Sequence, residues 1–235
     1  ELGGGRLKLT PTGEKVYMLA VLTLDRQLAL REELQRLAHG QTGLRLEATF
    51  SIGEHLLPDL LLQFAEHYPD YKVESRMTYS RKIQSHLAAG LIDLALMESA
   101  PDHPDILVQK WADDELWLVC GNTHALVGTE LLPVEQLPKL DYVLRERGSS
   151  PRASMDEAMQ NIGIDNLNIT MEVGSTDTIV EILARGKHVS FLPRFAVEDE
   201  VAEGELFHIK VVGFRLMRTL WIARHRGNLD RQSVL

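Results

Sequence analysis

From Gly43 onward, short apolar runs alternate with amphipathic stretches, and the alternation is used twice. Residues 44–50 read as a strand, 54–67 as an amphipathic helix, 71–77 as a strand, 81–89 as a helix and 92–97 as a buried strand. This βαβαβ order implies a mainly parallel sheet with right-handed crossovers and a crevice at the carboxyl ends of the strands. Residues 107–112 and 115–120 read as two further strands, separated by an acidic turn at Asp113 and Asp114. A second series follows, with strands over 141–144, 169–173 and 189–192 and helices over 152–162 and 176–185. A last strand, 216–223, must join one of the two sheets. A chain that leaves the first unit near Cys120 and returns near Gly213 crosses twice. The expected fold class is therefore α/β, two Rossmann-like lobes joined by two hinge crossings with a cleft between them.

Ahead of the first strand, residues 14–39 contain no Pro or Gly and are rich in Leu, Ala, Gln, Glu and Arg. That composition predicts a long helix of about seven turns, stopped by Gly40. Val16, Leu19, Ala20, Leu24 and Leu28 form one apolar stripe, and Leu30, Leu34 and Leu37 continue it on a shifted face. Such a helix can pack on its own domain, but its place before a Gly-Gln-Thr-Gly linker favours dimerisation. Residues 6–9 alternate as a short strand would, punctuated by Thr10, Pro11, Thr12 and Gly13. The chain opens at Glu1 with Gly3, Gly4 and Gly5 close behind, and carries neither a starting Met nor a basic-then-apolar leader, as expected of a fragment or processed chain.

The net charge of −9, from 34 acidic against 25 basic side chains, makes this chain alone a poor partner for nucleic acid. One cysteine, Cys120, cannot form an internal disulfide, and no stretch approaches the roughly 20 apolar residues of a membrane span, so the cytoplasm is the expected compartment. Catalytic motifs are missing: no Gly-x-Ser-x-Gly elbow, no phosphate-binding Gly-x-x-x-x-Gly-Lys loop and no Gly-x-Gly-x-x-Gly after a strand. Nothing places Ser149 and His188 together as a pair. The nine histidines lack a paired helical spacing, and Cys120 in an apolar run reads as an inert buried thiol. No enzyme, cofactor or metal is expected.

Three strand-to-helix junctions carry short hydroxyl residues: Thr49 and Ser51, Ser149 and Ser150 before Pro151, and Ser175 and Thr176. Each could simply cap its own helix. If both lobes aim them into one cleft, however, helix N-termini and hydroxyls converge on a point that suits an anion. Arg145 follows a strand directly and offers a fork of donors for oxyanions, while Arg147 and Arg152 flank the same junction. Glu98 ends the third strand; it can pair with Arg145 across the cleft, accept from a protonated oxyanion, bind an amine, or remain a solvated loop carboxylate. Pro193 shapes the wall at the end of the last strand of the second series, with Arg194 as a rim charge.

Leu7, Leu9, Thr10, Thr12 and Gly13 resemble the "LT-x-x-G" that closes the winged helix-turn-helix of LysR-type transcriptional regulators, and residues 14–39 resemble that family's linker helix. Gly90, Ile92, Asp93, Leu94 and Ala95 resemble its "G-x-(I/L)-D-x-(A/G)" stretch. Arg145, Glu146, Gly148 and Ser149 resemble its "R-E-x-G-S" loop, and Gly174 to Thr176 its "(G/S)-x-(T/E)" stretch. The order and spacing of these pieces cover nearly the whole chain. The resemblance implies a periplasmic-binding-protein-like sensor of a bacterial regulator, homodimeric or homotetrameric, with DNA contacted only through an N-terminal domain that this chain lacks. It divides the chain into a winged-helix remnant (1–13), a linker or dimerisation helix (14–40), one effector-binding subdomain (44–120 and 213–235) and a second (121–212). Residues 51–58, with Asp102, His103, Pro104, Arg224, His225 and Arg226, are most similar to members governing sulfur or inorganic-anion metabolism, which makes sulfite or sulfate the first effector expected. A transport-type solute-binding protein for a small anion is the alternative that shares the two lobes.

Overall fold

The structure, a computed structural model, describes residues 2–3, 6–7, 9–39 and 43–228. The readings attached to Gly4, Gly5, Gly40, the side chains of Leu28, Leu34 and Leu37, and residues 229–235 lie outside the described residues. Strands β1 (Leu2–Gly3) and β2 (Arg6–Leu7) pair antiparallel ahead of helix α1 (Pro11–His39). The helix begins three residues before the expected Glu14, because Thr10 is a cap rather than a turn residue. Its hydroxyl accepts the Gly13 N–H at 3.1 Å, and Pro11 takes the first helical position, where a missing donor costs nothing. Val16, Tyr17, Leu19 and Leu24 are exposed along it.

The first series is β3 (Gly43–Ala48), α2 (Phe50–His55), α3 (Leu57–His67), β4 (Lys72–Met77), α4 (Ser80–Ala88) and β5 (Leu94–Met97). The single helix expected over 54–67 is two helices, since Pro58 has no N–H to carry an α-helix through from α2 and instead sits in the first turn of α3. Next come β6 (Ile106–Gly121), β7 (Asp141–Arg145), α5 (Ser150–Asn161), β8 (Asn168–Val173), α6 (Thr176–Arg185), β9 (Val189–Pro193), α7 (Glu198–Ala202), β10 (Leu206–Ile209) and β11 (Leu216–His225). α7 and β10 span only five and four residues, too short to leave a periodic mark in the sequence.

Nine strands form one sheet in the order β4-β3-β5-β11-β6-β9-β7-β8, with β10 added to β6. Parallel triplets, β4-β3-β5 and β9-β7-β8, lie at its two ends and are joined through antiparallel β11 and β6. The acidic turn expected at Asp113 and Asp114 does not exist. β6 runs unbroken for 16 residues, pairing with β11 over its first two thirds and with β9 from Leu116 to Cys120. The turn reading fails because Asp114 lies opposite Arg218 in the β6/β11 register, and that guanidinium keeps the carboxylate in the ladder.

Period-two alternation fills both faces of each half. Ala95 and Met97 of β5 join Ile83, Leu87 and Ala223, while Leu96 joins Leu46, Ile52 and Leu57 on the opposite face. Likewise Leu118 and Cys120 pack with Tyr142 and Phe191, whereas Val119 packs with Val143, Ile179 and Leu183. Cys120 is fully buried among these side chains, and burial pushes its thiol up to about 11. At the end of β6, a Cβ on Gly121 would lie 2.0 Å from the carbonyl oxygen of Leu183 in α6. Because the obstacle is backbone, Gly121→Ala is expected to destabilise the chain by roughly 3 kcal/mol. Thermal denaturation checks this, and an unchanged melting temperature would mean that α6 is free to shift.

Candidate functional site

Three strand-to-helix junctions, β3/α2, β4/α4 and β7/α5, meet the end of β5 where the two halves face each other. Their side chains line a narrow cavity of about 10 Å³ formed by Thr49, Phe50, Ser51, Thr78, Tyr79, Ser80, Glu98, Arg145, Ser149, Ser150 and Pro151. Six of the nine residues singled out in the sequence are among them. Phe50, Thr78, Tyr79 and Ser80 come from the β3/α2 and β4/α4 junctions; the hydroxyls of Thr78 and Ser80 carry the same signal that marked the other three junctions. A wider hollow of about 570 Å³ lies between β6, β9 and β10, but its walls are mainly Leu, Val, Phe and Trp side chains, away from every one of these junctions.

Thr49 occupies the N-cap position of α2, yet its hydroxyl caps nothing. It and the Ser51 hydroxyl are buried with no hydrogen-bond partner among the described residues. Buried polar groups are ordinarily paired, at a cost of about 1–3 kcal/mol when they are not. Ser149 also leaves its helix uncapped and donates back to the Glu146 carbonyl at 2.9 Å; Gly148, at φ 98°, makes the loop geometry possible. Ser175, by contrast, takes the ordinary role: its oxygen accepts from Thr178 N at 3.4 Å and caps α6, and it does not reach the cavity. Thr176 is fully buried behind the cavity, where its hydroxyl accepts from Arg145 Nη1 at 3.2 Å. Pro193 lies opposite Leu116 in the β6/β9 pairing and is not part of the cavity wall.

Arg145 ends β7 with its side chain 2% exposed. Its Nε and Nη2 donate to the two oxygens of Glu146 at 2.9 and 3.2 Å. Burial pushes the Glu146 carboxyl up, but the hydrogen bonds and charge of Arg145 outweigh this and hold it below the usual carboxylate range. Glu146 also accepts from the Tyr79 hydroxyl at 2.9 Å, which raises that phenol. Ser80 and Ser150 hydroxyls meet at 2.9 Å beside it. Two contacts thus join the start of α4 to the β7/α5 junction beside the cavity.

Glu98 is buried in the cavity wall, but its partner is not Arg145. Its carboxylate lies 2.8 Å from Arg218 Nη1, an ion pair at an angle that makes no hydrogen bond, while Arg218 Nε donates to Asp114 at 2.7 Å. Burial raises the Asp114 carboxyl and the Arg218 charge pulls it back only in part. Arg147 is largely exposed, 3.9 Å from Glu172. Arg152, electrostatically misplaced at a helix start, is compensated within its own helix by Asp156 at 2.9 Å. Arg194 pairs with Glu198 at 2.8 Å and lies over the Trp117 ring, not at the cavity.

Residues 38–234 match the family model described as LysR substrate binding domain. The uncharacterized HTH-type transcriptional regulator YeiE of Escherichia coli K12 is 28% identical over 223 residues, covering 95% of this chain and 74% of that protein. The HTH-type transcriptional regulator CysL of Bacillus subtilis is 24% identical, covering 90% of this chain and 71% of that one. Among solved structures, the Synechocystis CcmR regulatory domain in complex with 2-PG superposes with a TM-score of 0.72 at 24% identity, over 80% of this chain and 89% of that one. The cofactor-binding domain of the Cbl transcriptional regulator superposes with a TM-score of 0.73 at 20% identity, over 83% and 85% of the two chains. These are two-lobed domains of regulators, which sets the transport reading aside. The chain belongs to the LysR substrate binding domain family and carries the effector-binding domain of a LysR-type transcriptional regulator, a protein without enzymatic activity.

Proposed function

We propose that the cavity between the lobes binds a small oxyanion, with sulfite or sulfate as the first choice, and that this alters DNA binding and transcription by the full-length regulator. The observation that carries the reading is the pair of partnerless hydroxyls on Thr49 and Ser51 in one cavity with the buried guanidinium of Arg145. An oxyanion fits both, since it accepts from hydroxyls and from a planar fork. Glu146 holds that fork in its place. Entry of the ligand parts Ser80 from Ser150 and Tyr79 from Glu146, and an oxyanion then takes over donors that Glu146 leaves. In the same fold, 2-PG and shikimate occupy the CcmR and QuiR domains, and an OxyR2 variant carries sulfate.

In this reading one lobe comprises residues 43–115 and 217–228 and the other residues 116–216, with β6 and β11 as the crossings; the boundaries differ from Cys120 and Gly213 because Leu116, Cys120 and Leu216 pack in one core with Tyr142 and Phe191. Ligand shifts the population between two lobe orientations only by as much as it prefers one of them. The exposed apolar residues of α1 support its role in a cytoplasmic homodimer or homotetramer, and DNA is contacted through an N-terminal domain outside this chain.

Melting the chain with sulfite, sulfate, thiosulfate, phosphate and small carboxylates identifies the effector class. Thr49→Val separates binding from folding. Replacing a partnerless buried hydroxyl by a methyl of the same shape is expected to leave stability unchanged or raise it by about 1 kcal/mol, while the anion's thermal shift shrinks. An undiminished shift in both Thr49→Val and Ser51→Ala would remove these hydroxyls from the site.

A further inference from the structure

Beside the cleft, and outside the cavity just described, the end of α2 approaches the first turn of α6. Glu54 and His55 come from one side and Asp177 from the other, and one donor atom of each lies within 4.8 Å of the others. His55 Nε2 stands 3.5 Å from Asp177 Oδ1. Two ligands held 2.0–2.1 Å from a tetrahedral metal are about 3.3 Å apart, so this spacing needs only a slight contraction. His55 Nε2 and Glu54 Oε2 are both buried and make no hydrogen bond among the described residues.

We infer that Glu54, His55 and Asp177 form a site for a divalent transition-metal ion of the zinc class, clasping one lobe to the other. One imidazole and two carboxylates suit zinc, cobalt, nickel or manganese and do not suit copper(I), which prefers thiolate and thioether ligands. Three protein donors leave a fourth position open to water or another oxygen. Because α2 and α6 belong to opposite parallel triplets, the ion favours the lobe arrangement in which all three donors meet. Nothing in this depends on what the cavity binds. The spacing in the sequence hides the site, since Asp177 is brought to Glu54 and His55 only by the two-lobed fold.

The test is titration of the whole chain, stripped with chelator and dialysed into chloride buffer free of oxyanions, with cobalt(II) followed by visible absorption and with zinc(II) followed by calorimetry. One ion per chain and the bands of four-coordinate cobalt are expected. His55→Ala and Asp177→Asn are each expected to weaken binding by at least about tenfold, the lower end of what even outer-shell changes cost. The Asp177 side chain is 71% exposed, so its variant keeps the fold if His55→Ala does not, as circular dichroism will show. Absence of binding, or affinity unchanged by Asp177→Asn, overturns the inference whatever the anion screen returns.

Discussion

Arg218→Met is expected to lower the melting temperature by roughly 10 °C, which corresponds to a loss of about 3–5 kcal/mol in a chain of this size. The reason lies in what the substitution leaves behind. The side chains of Arg218, Glu98 and Asp114 are 4%, 1% and 4% exposed, so removing the one cation strands two carboxylates away from water. Part of that cost already exists, because burial holds the Asp114 carboxyl above its ordinary value even with Arg218 in place. The cation-π contact with Phe195, 5.9 Å from the guanidinium carbon, is lost as well. Adding Glu98→Gln and Asp114→Asn to Arg218→Met is expected to recover most of the loss, since neutral groups of similar shape tolerate the site. Thermal melts of the single and triple variants check both statements. A triple variant no more stable than the single one would show that packing around the guanidinium, and not charge, holds these strands.

Arg145→Met is expected to weaken anion binding by about 30- to 1000-fold, the equivalent of roughly 2–4 kcal/mol for removing one partner of a buried charge-assisted contact. Calorimetry with sulfite or sulfate reads this directly. Three hydrogen bonds are lost with the guanidinium, two to Glu146 and one to Thr176. Glu146 is 24% exposed and can turn to solvent, so the loss of binding should exceed the loss of stability. An affinity within about threefold of the parent, less than 1 kcal/mol, would place the anion elsewhere.

The elements with strong local signals were legible. Residues 176–185 form a helix with the expected bounds, because Ser175 caps it and its apolar face repeats at helical spacing. The junctions at Thr49, Arg145 and Ser149 were legible too, since a strand followed by a hydroxyl and a helix leaves a local mark. What was hidden depended on residues far apart in the chain. Asp113 and Asp114 look like a turn until Arg218, 104 residues away, is set opposite Asp114. Pairing with Arg145 was one of four readings open for Glu98, and β11 brings Arg218 to it instead. Ser175 and Thr176 share one junction, but the cap uses the first and Arg145 the second, a division decided by side-chain direction and not by spacing.

β6 passes from one parallel triplet to the other as a single strand, its ladder with β11 irregular where Trp111 has no partner between Leu220 and Trp221. A loop hinge would let the halves swing apart cheaply; a strand that must keep its ladder on both sides can only twist and flex. In the sensor proposed above, opening is then a small elastic rotation, resisted throughout its range and restored when the load is removed. In the proposed oligomer, a neighbouring subunit would read the effector as a slight tilt, and any stiffening of that strand would dull the response even with the pocket intact.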